Sequence, residues 1–413
     1  MTAIAQPTGR LSASLSTETI GLVLVWLMFA SSFVVIIEPA PCDFLALLAI
    51  LFWVATGMKM QMGVVPLLAI LLFYNMGGFL SFLQFGYEAK GATFVATSFY
   101  MAIMAVFFAC FISENTDQRM TWVMRGYIFG AVIAAAMGAA GRFNIAGLAS
   151  VFTFEERATG LFKDPNVFST YLVFPVVMLI QGFMLGTIKH KLLSTISLLI
   201  IATALFLAFS RGAWINVTIS TVLTIGFTFM LTPSIAMRTR IVIFTIVVIG
   251  VAAVMLTLLM SVKELRDLFF DRFTLLKSYD SGETGRFGNQ LNAIPLLLQL
   301  PLGFGPGKFN TVFGIDPHNT FLNSFASYGW LGGISYFTLV VTSLAAGWKA
   351  IMTRSPWQNY SILCYSCLIA VIFQGVQIDM EHWRHFYWIL GLTWGCFALA
   401  IRYRPPDQTG VPA

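Results

Sequence analysis

The sequence predicts an all-α protein, a polytopic membrane helical bundle, and three observations lead to this fold class. Hydrophobic residues make up 58% of the 413 residues and charged residues only 10%, whereas a soluble protein carries about 25% charge. The mean hydropathy is +0.82. Apolar runs of about 20 residues, the length that spans a bilayer, follow one another through the chain. They lack the two-residue alternation of a membrane barrel, and an open sheet would leave unpaired backbone groups in lipid.

Twelve apolar runs are candidate transmembrane helices. They are 20–37, 43–57, 64–84, 92–113, 121–140, 166–186, 192–210, 213–231, 241–261, 320–344, 359–378 and 385–401. The second run is short and the seventh and eighth nearly touch, so the predicted number is about twelve. The first run is expected to be an uncleaved helix, because a long, weakly charged segment precedes it and further spans follow. We predict one integral membrane domain over residues 1–413.

The basic residues of the loops predict the orientation. If both termini are cytoplasmic, the cytoplasmic side holds twelve Lys and Arg residues and only four acidic ones. This is the enrichment expected for cytoplasmic loops. Residues 262–319, between the ninth and tenth runs, then form one large periplasmic segment. The basic residues are scattered, without a run or aromatic interleaving, so the net charge of +6 does not indicate nucleic acid.

The unusual polar features all fall on the predicted outer face. They are Glu155–Arg157, Lys163–Asn166, Ser210–Gly212, the segment 262–319 and Asp379–His385. The chain has no G-x-x-x-x-G-K-[ST] motif for nucleotide phosphates. We therefore expect chemistry at the outer face that does not use ATP.

Two arginines are candidates for binding an anion. Arg211 lies between two apolar runs with almost no loop around it, and a helix-end arginine that snorkels to the headgroups is one interpretation. The other is function, because an arginine at membrane depth needs an anionic partner and its planar fork fits phosphate oxygens. Arg286 precedes a pattern typical of a short amphipathic helix on the bundle. There, a surface arginine and a site arginine are equally open interpretations.

Arg157 and Lys163 flank a turn before the sixth run. A solvated loop explains both residues as well as a binding role does. Asp164 and Asn166 are good N-cap residues for the helix that follows. The N-terminus of that helix would attract anions.

His318 ends the outer segment, in the sequence Asp316-Pro317-His318-Asn319. It would either cap the next helix or act as a general base, because imidazole titrates near neutral pH. In the second case Asp316 or Asn319 would hold the ring in one tautomer.

The histidines and cysteines give only weak metal signals. His382 and His385, with Glu381, have a ligand-like spacing but no converging cysteine or further histidine. Cys364 and Cys367 form a C-x-x-C inside an apolar run, where helix packing explains them. We predict neither a metal nor a cofactor.

The polar motifs occur in an ordered set. They are Arg157-x-x-Gly160 before Asp164-Pro165-Asn166, Ser210-Arg211-Gly212, Arg286 before Pro301-Leu302-Gly303-x-Gly305, and His318-Asn319-x-x-Leu322 before Gly329. This set, with the helix number and the long outer segment, resembles the O-antigen ligase superfamily. These bacterial inner-membrane enzymes include lipopolysaccharide O-antigen ligases and related polysaccharide polymerases. The resemblance covers most of the chain.

The resemblance implies glycosyl transfer in the periplasm from a glycan on undecaprenyl diphosphate. Arg211 and Arg286 would hold the diphosphate and stabilise the charge that develops on it. His318 would activate the acceptor hydroxyl for attack with inversion, without a metal. The lipid tail would lie in a groove between helices. Residues that would assist substrate binding are Arg157, Lys163, Asn166, Asp316 and Asn319.

The acceptor stays open at this point. A ligase would join the glycan to lipid A–core, and an O-antigen or exopolysaccharide polymerase would join it to another lipid-linked glycan. The motif set and the chain length favour a ligase. A transporter of an anionic or lipid-linked substrate is the alternative from another class, although the two halves show no internal repeat. A non-catalytic scaffold would not need the arginine and histidine set.

Overall fold

The computed structural model describes residues 16–84, 88–273, 282 and 285–404, and these residues are almost entirely helical. In chain order the helices are α1 (Thr17–Ala30), α2 (Pro41–Ala55), α3 (Val65–Gln84), α4 (Ala89–Ile112), α5 (Thr116–Arg142), α6 (Ala149–Phe152), α7 (Pro165–Leu185), α8 (Lys191–Leu207), α9 (Arg211–Leu231), α10 (Ile235–Met260), α11 (Lys263–Phe273), α12 (Arg286–Gln299), α13 (Phe309–Phe313), α14 (Thr320–Met352), α15 (Gln358–Gln374) and α16 (Arg384–Arg402). Two short strands, β1 (Thr153–Phe154) and β2 (Arg157–Ala158), pair antiparallel between α6 and α7.

Each of the twelve predicted runs coincides with a helix. Seven helical segments in the described residues are long and apolar enough to cross a membrane. They are Met62–Gln84, Ala89–Ile112, Thr116–Arg142, Pro165–Leu185, Arg211–Leu231, Ile235–Met260 and Thr320–Met352. The chain is therefore a helical membrane protein, as predicted, while the number of twelve spans stays a prediction.

The first predicted run is wrong at its C-terminal end, because α1 stops at Ala30 and not at residue 37. The hydroxyl of Ser32 donates to the carbonyl of Phe29 at 2.6 Å and lies 2.8 Å from the hydroxyl of Tyr171. Local serine bonds of this kind compete with helix continuation. The chain turns here and continues non-helically to α2.

The helices around the polar end pack closely against one another. Among the largest interfaces are α3 with α14, α4 with α16, and α9 with α15. The ring of Tyr74 on α3 stacks on Tyr328 of α14 with centroids 4.3 Å apart, and Trp388 of α16 packs edge-on to Phe29 of α1 at 4.9 Å. These contacts fix the starts of α9, α14 and α16 relative to the end of α15.

The tenth predicted run is a broken helix. α14 continues to Met352, but Gly329 has φ 65° and ψ −168°, which interrupts it. An added Cβ at Gly329 would lie 2.5 Å from the carbonyl oxygen of Pro301, and one at Gly303 would lie 2.5 Å from that of Ala326. Only glycine allows both the positive φ and this close approach. The glycine-rich turn of the outer segment therefore packs directly against the break.

Between the end of α10 at Met260 and the start of α14 at Thr320, the described residues contain α11, α12 and α13. The predicted amphipathic helix after Arg286 is confirmed as α12. It buries Ala293 and Leu297 against the bundle but leaves Leu298 66% exposed. The side of α12 that faces away from the bundle therefore also exposes apolar residues. The periplasmic location of the segment stays a prediction.

The polar features that the sequence assigns to one face lie at one end of the bundle. Ion pairs between the loops at this end are Lys163–Glu38 (3.0 Å), Lys308–Glu88 (2.9 Å), Arg272–Glu155 (3.5 Å) and Arg384–Asp43 (2.6 Å). They connect the starts of α2, α4, α7 and α16, which agrees with an alternating path through a membrane.

The contact between α3 and α14 leads to a stability prediction. A Cβ at Gly77 would lie 2.5 Å from the amide nitrogen of Gly332 and 2.7 Å from the carbonyl oxygen of Tyr328. Gly77→Ala should therefore lower the free energy of unfolding by about 1–3 kcal/mol, because two backbones must separate. Thermal unfolding in detergent micelles measures the change.

Gly226→Ala is the matched control, since no atom lies within 4 Å of a Cβ added at Gly226 in α9. There, alanine should leave stability unchanged or raise it by up to about 1 kcal/mol through helix propensity. Equal effects of the two substitutions would contradict the packing described for Gly77.

Candidate functional site

The loop between α15 and α16, residues 375–383, organises the polar end of the bundle. The carboxylate of Asp379 accepts hydrogen bonds from the backbone N–H groups of His318 at 2.9 Å and Asn319 at 3.0 Å. The N–H of Thr320 donates to the carbonyl of Gly375 at 2.8 Å. The loop thus fixes the backbone of residues 318–320 where the chain enters α14.

His318 has a left-handed backbone with φ 47°. This conformation is uncommon for a residue with a side chain and persists only where the surroundings hold it. Asn319 is the N-cap of α14, because its side-chain oxygen accepts from the N–H of Leu322 at 3.0 Å. The capping role considered for His318 is therefore carried by Asn319.

Burial dominates the electrostatics of Asp379. It raises the pKa of the carboxyl from an ordinary 3.8 to about 7, although the N–H groups of Asn319 and His318 stabilise the charged form. The nearby charge of Asp316 raises the pKa further, and that of Arg286 lowers it. The amide nitrogen of Gln290 in α12 donates to the carbonyl of Pro317 at 2.7 Å, so the first turns of α12 lie beside the turn that carries His318.

Arg211 lies near the residue that precedes this loop, as the close approach of its neighbour Gly212 to Gln374 shows. It is the first residue of α9, and a Cβ added at Gly212 would lie 3.1 Å from the amide nitrogen of Gln374. Gln374 is the last residue of α15 and is itself fixed, since its amide oxygen accepts from Asn216 at 2.6 Å and its amide nitrogen donates to Thr170 at 2.8 Å. Arg211 thus begins its helix beside the residue that precedes the loop 375–383, and Arg286 begins a helix that contacts the His318 turn.

Arg157 lies beside the start of α9. Its Nε donates to the carbonyl of Ala208 at 2.8 Å and its Nη2 donates to the side-chain oxygen of Asn166 at 3.0 Å. The side chain is buried, with 8% exposed. Asp164 caps α7, as predicted, by accepting from the N–H of Asn166 at 2.6 Å. Arg157 therefore joins the starts of α7 and α9, and its predicted contact with substrate stays a prediction.

Lys163 has different surroundings. Its ammonium group lies 3.0 Å from the carboxylate of Glu38, and both side chains are about half exposed. A surface ion pair of this kind contributes little stability. This ion pair does not connect Lys163 to the loop 375–383, so the geometry supports a site role for it less than for the arginines.

Two depressions flank the turn of residues 316–319. The first, the polar cavity, has a volume of about 220 Å³. It is lined by Phe94, Gly307, Phe309, Asp316, Pro317, Asn323, Asp379, Glu381, His382 and Trp383. The second, the apolar groove, has a volume of about 490 Å³. It is lined by Ile294, Leu297, Leu298, Asn319, Phe321, Leu322, Phe325, Trp330, Ile334 and Phe337. The turn that carries His318 therefore separates a polar from an apolar binding space.

The two histidines with ligand-like spacing have different contacts. The ring of His382 packs edge-on to Phe94 at 4.3 Å, whereas that of His385 lies 5.2 Å from Trp383. Burial lowers the pKa of His382 to about 4, which keeps the ring neutral. In the part of the chain that the structure describes, no group of three His, Cys, Asp or Glu residues is arranged to hold a metal ion. Cys364 and Cys367 are buried as free thiols in α15.

Sequence reasoning missed two residues of this site. In the sequence, Asp379 stands out only as part of an outer polar stretch, because its contact with residues 318–319 joins positions about 60 residues apart. Gln374 lies within a predicted apolar run. A lone amide in such a run was the available signal, because a polar side chain at membrane depth needs a specific partner.

The fold and the site define a helical membrane protein whose cationic and acidic residues meet at one end of the bundle. Residues 196–337 match the family model described as O-Antigen ligase. This match includes Arg211, Arg286 and His318, and it confirms the predicted resemblance to the O-antigen ligase superfamily over these residues. Members of this family are enzymes that act on glycans. The comparison with curated proteins found no match.

The raised pKa of Asp379 predicts a pH dependence of stability. Between about pH 4 and pH 7 the folded protein holds a proton that the unfolded chain has released, so the free energy of unfolding falls as the pH rises through this window. Asp379→Asn removes this contribution. Thermal unfolding of both proteins in detergent, across this window, should show the wild type losing stability relative to the variant. A difference that stays constant with pH would contradict the raised pKa.

Proposed function

We propose that this protein is a periplasmic membrane glycosyltransferase that moves a glycan from undecaprenyl diphosphate onto a sugar hydroxyl of lipid A–core. The observation that carries the proposal is the His318 turn, which Asp379 holds between a polar cavity and an apolar groove, within the matched region that also contains Arg211 and Arg286. In this transfer, two arginines bind the leaving diphosphate and one histidine activates the incoming hydroxyl.

The two arginines stand at equivalent structural positions. Arg211 is the first residue of α9 and Arg286 is the first residue of α12. A helix N-terminus presents unpaired N–H groups and the positive end of the helix dipole, which favour an anion. A guanidinium at that position adds two parallel donors for phosphate oxygens. Two such ends near one loop suit the two phosphates of a lipid diphosphate.

The apolar groove suits the lipid part of the donor. It lies between α12 and α14 and begins at Asn319, directly after His318. Its lining is almost wholly hydrophobic, and the exposed apolar face of α12 extends it. An isoprenoid chain in this groove would deliver its diphosphate to the start of α12, where Arg286 lies.

In the proposed reaction, His318 takes the proton of the acceptor hydroxyl as the oxygen attacks the anomeric carbon. The bond from that carbon to the phosphate oxygen breaks, and the lipid diphosphate leaves with the electron pair. Arg211 and Arg286 stabilise the negative charge that develops on it. Attack opposite the leaving group inverts the anomeric configuration. The bonds from Asp379 to the backbone of His318 and Asn319 keep the base in position for this step.

A polymerase that transfers the same donor to a second lipid-linked glycan is the alternative. It would use the same arginines and base, so the site fits it as well. The ordered motifs and the length of the chain favour the ligase. A transporter would not need the His318 turn or the polar cavity beside it.

The test is complementation of a strain that lacks the enzyme with the wild type, His318→Ala and Arg211→Ala, followed by profiling of the surface glycans. Loss of a general base lowers the rate by about 10²–10⁴-fold, and loss of an arginine removes charge stabilisation from the leaving diphosphate. Both variants should therefore fail to place polymer on lipid A while lipid-linked polymer accumulates. Single repeat units on lipid A would instead indicate a polymerase.

His190→Ala and Arg354→Ala are matched controls, because both residues are exposed and belong to loops at the other end of the bundle. These controls should behave as wild type. Unchanged glycans in the His318 and Arg211 variants, with all proteins present at equal amounts in the membrane, would overturn the catalytic assignment.

A further inference from the structure

The polar cavity beside the His318 turn has a lining that the proposed transfer does not use. Three acidic side chains face it, those of Asp316, Asp379 and Glu381, together with the rings of Phe94 and Trp383. Its volume of about 220 Å³ is below the ~300–1,000 Å³ of pockets that hold drug-sized molecules. A ligand here is therefore small, polar and flat enough to lie against a ring.

Glu381 is the residue that points to a ligand. It is 5% exposed, and its Oε1 accepts from the amide nitrogen of Asn323. Its Oε2 has no hydrogen-bond partner among the described residues. A buried polar atom left without a partner costs about 1–3 kcal/mol, so such an atom in a cavity wall calls for a ligand that satisfies it. Burial and the neighbouring Asp379 raise the pKa of Glu381 well above its ordinary value, which favours the protonated carboxyl, a form that can donate a hydrogen bond as well as accept one.

The surroundings hold this carboxyl in place. Ser327 donates to the side-chain oxygen of Asn323 at 2.9 Å and accepts from the N–H of Gly307 at 3.2 Å. The hydroxyl of Tyr387 donates to the backbone carbonyl of Glu381 at 2.9 Å. The cavity wall is thus organised before any ligand arrives, which is typical of small-molecule sites.

We propose that this cavity binds one uncharged sugar ring of the acceptor, with its hydroxyls on Glu381, Asp379 and Asp316 and one face against an aromatic ring. The inference rests on the proposed function, because it makes the ring in the cavity the one whose hydroxyl is presented to His318. Residues 316 and 317 line the cavity and His318 follows directly, so the acceptor subsite and the base share one turn.

Charge separates the two substrates in this arrangement. The donor diphosphate is anionic and would be repelled by the carboxylates of Asp316 and Asp379, whereas Arg211 and Arg286 attract it. A neutral sugar meets no such repulsion and supplies several hydroxyl groups for carboxyl oxygens. The cavity therefore excludes the donor head group and an acidic sugar, and it accepts a neutral one.

The first experiment measures transfer by the full-length protein in nanodiscs, with donor and acceptor concentrations varied independently. Glu381→Gln and Asp316→Asn should each raise the KM for acceptor by about tenfold, the effect of one lost hydrogen bond, while the KM for donor stays as in wild type. Asp316 is exposed, so its variant tests the site without risk to the fold. Asp267→Asn, on the exposed side of α11, is the control for loss of a carboxylate. Unchanged acceptor KM in both cavity variants would overturn the inference.

The second experiment does not depend on transfer. Saturation-transfer NMR on the same nanodiscs uses methyl glycosides of a neutral hexose and of a hexuronic acid as probes. The neutral glycoside should give a signal that Glu381→Gln reduces several-fold, and the uronic acid should give none. Equal signals from the two probes, or a signal that Glu381→Gln leaves intact, would overturn the sugar site.

The two experiments also keep the two proposals apart. Glu381-dependent binding of the neutral glycoside by a protein that transfers no glycan would support the sugar site and overturn the glycosyltransferase. Transfer that depends on His318 but not on Glu381 would support the glycosyltransferase and overturn the acceptor subsite.

Discussion

The carboxylate of Asp379 joins the end of α15 to the start of α14, and the geometry of the whole polar end depends on this contact. Burying a carboxylate is costly unless hydrogen bonds replace its hydration, and here the N–H groups of His318 and Asn319 offset part of that cost. These bonds hold His318 in a left-handed conformation that an unsupported turn would leave. The same turn forms the wall between the polar cavity and the apolar groove, so one ionisable group positions His318 and shapes both depressions.

Electrostatics divides this end of the bundle into two regions. The arginines begin α9 and α12, where helix dipoles already favour an anion. The carboxyl groups gather across the His318 turn, where burial moves the pKa of Asp379 toward neutrality and raises that of Glu381 well above its ordinary value. A reaction between a charged donor and a neutral acceptor needs such a division, because each substrate is then attracted to its own side of the base. The division follows from burial and helix direction and needs no moving part.

Much of the fold follows from the sequence because lipid leaves the backbone few choices. Each apolar run must satisfy its own N–H and C=O groups, so its length and composition predict a helix. The pattern after Arg286 predicts α12 by the helical spacing of its apolar residues. The contact of Asp379 with His318 could not be predicted in this way, since it depends on how α14 and α15 pack. The early end of α1 at Ala30 also depends on packing, through the contact of Ser32 with Tyr171.

The break in α14 explains why the outer segment cannot be treated as a separate unit. At Gly329 the helix loses its regular bonding, and the outer segment replaces it: Trp330 donates to the carbonyl of Pro301 at 2.8 Å, and Phe304 donates to that of Ala326 at 2.7 Å. This exchange requires Gly303, because any side chain there would meet the carbonyl of Ala326. The turn so inserted continues into residues 307–309, which line the polar cavity. Glycines that the sequence places in a loop therefore determine the position of the cavity wall.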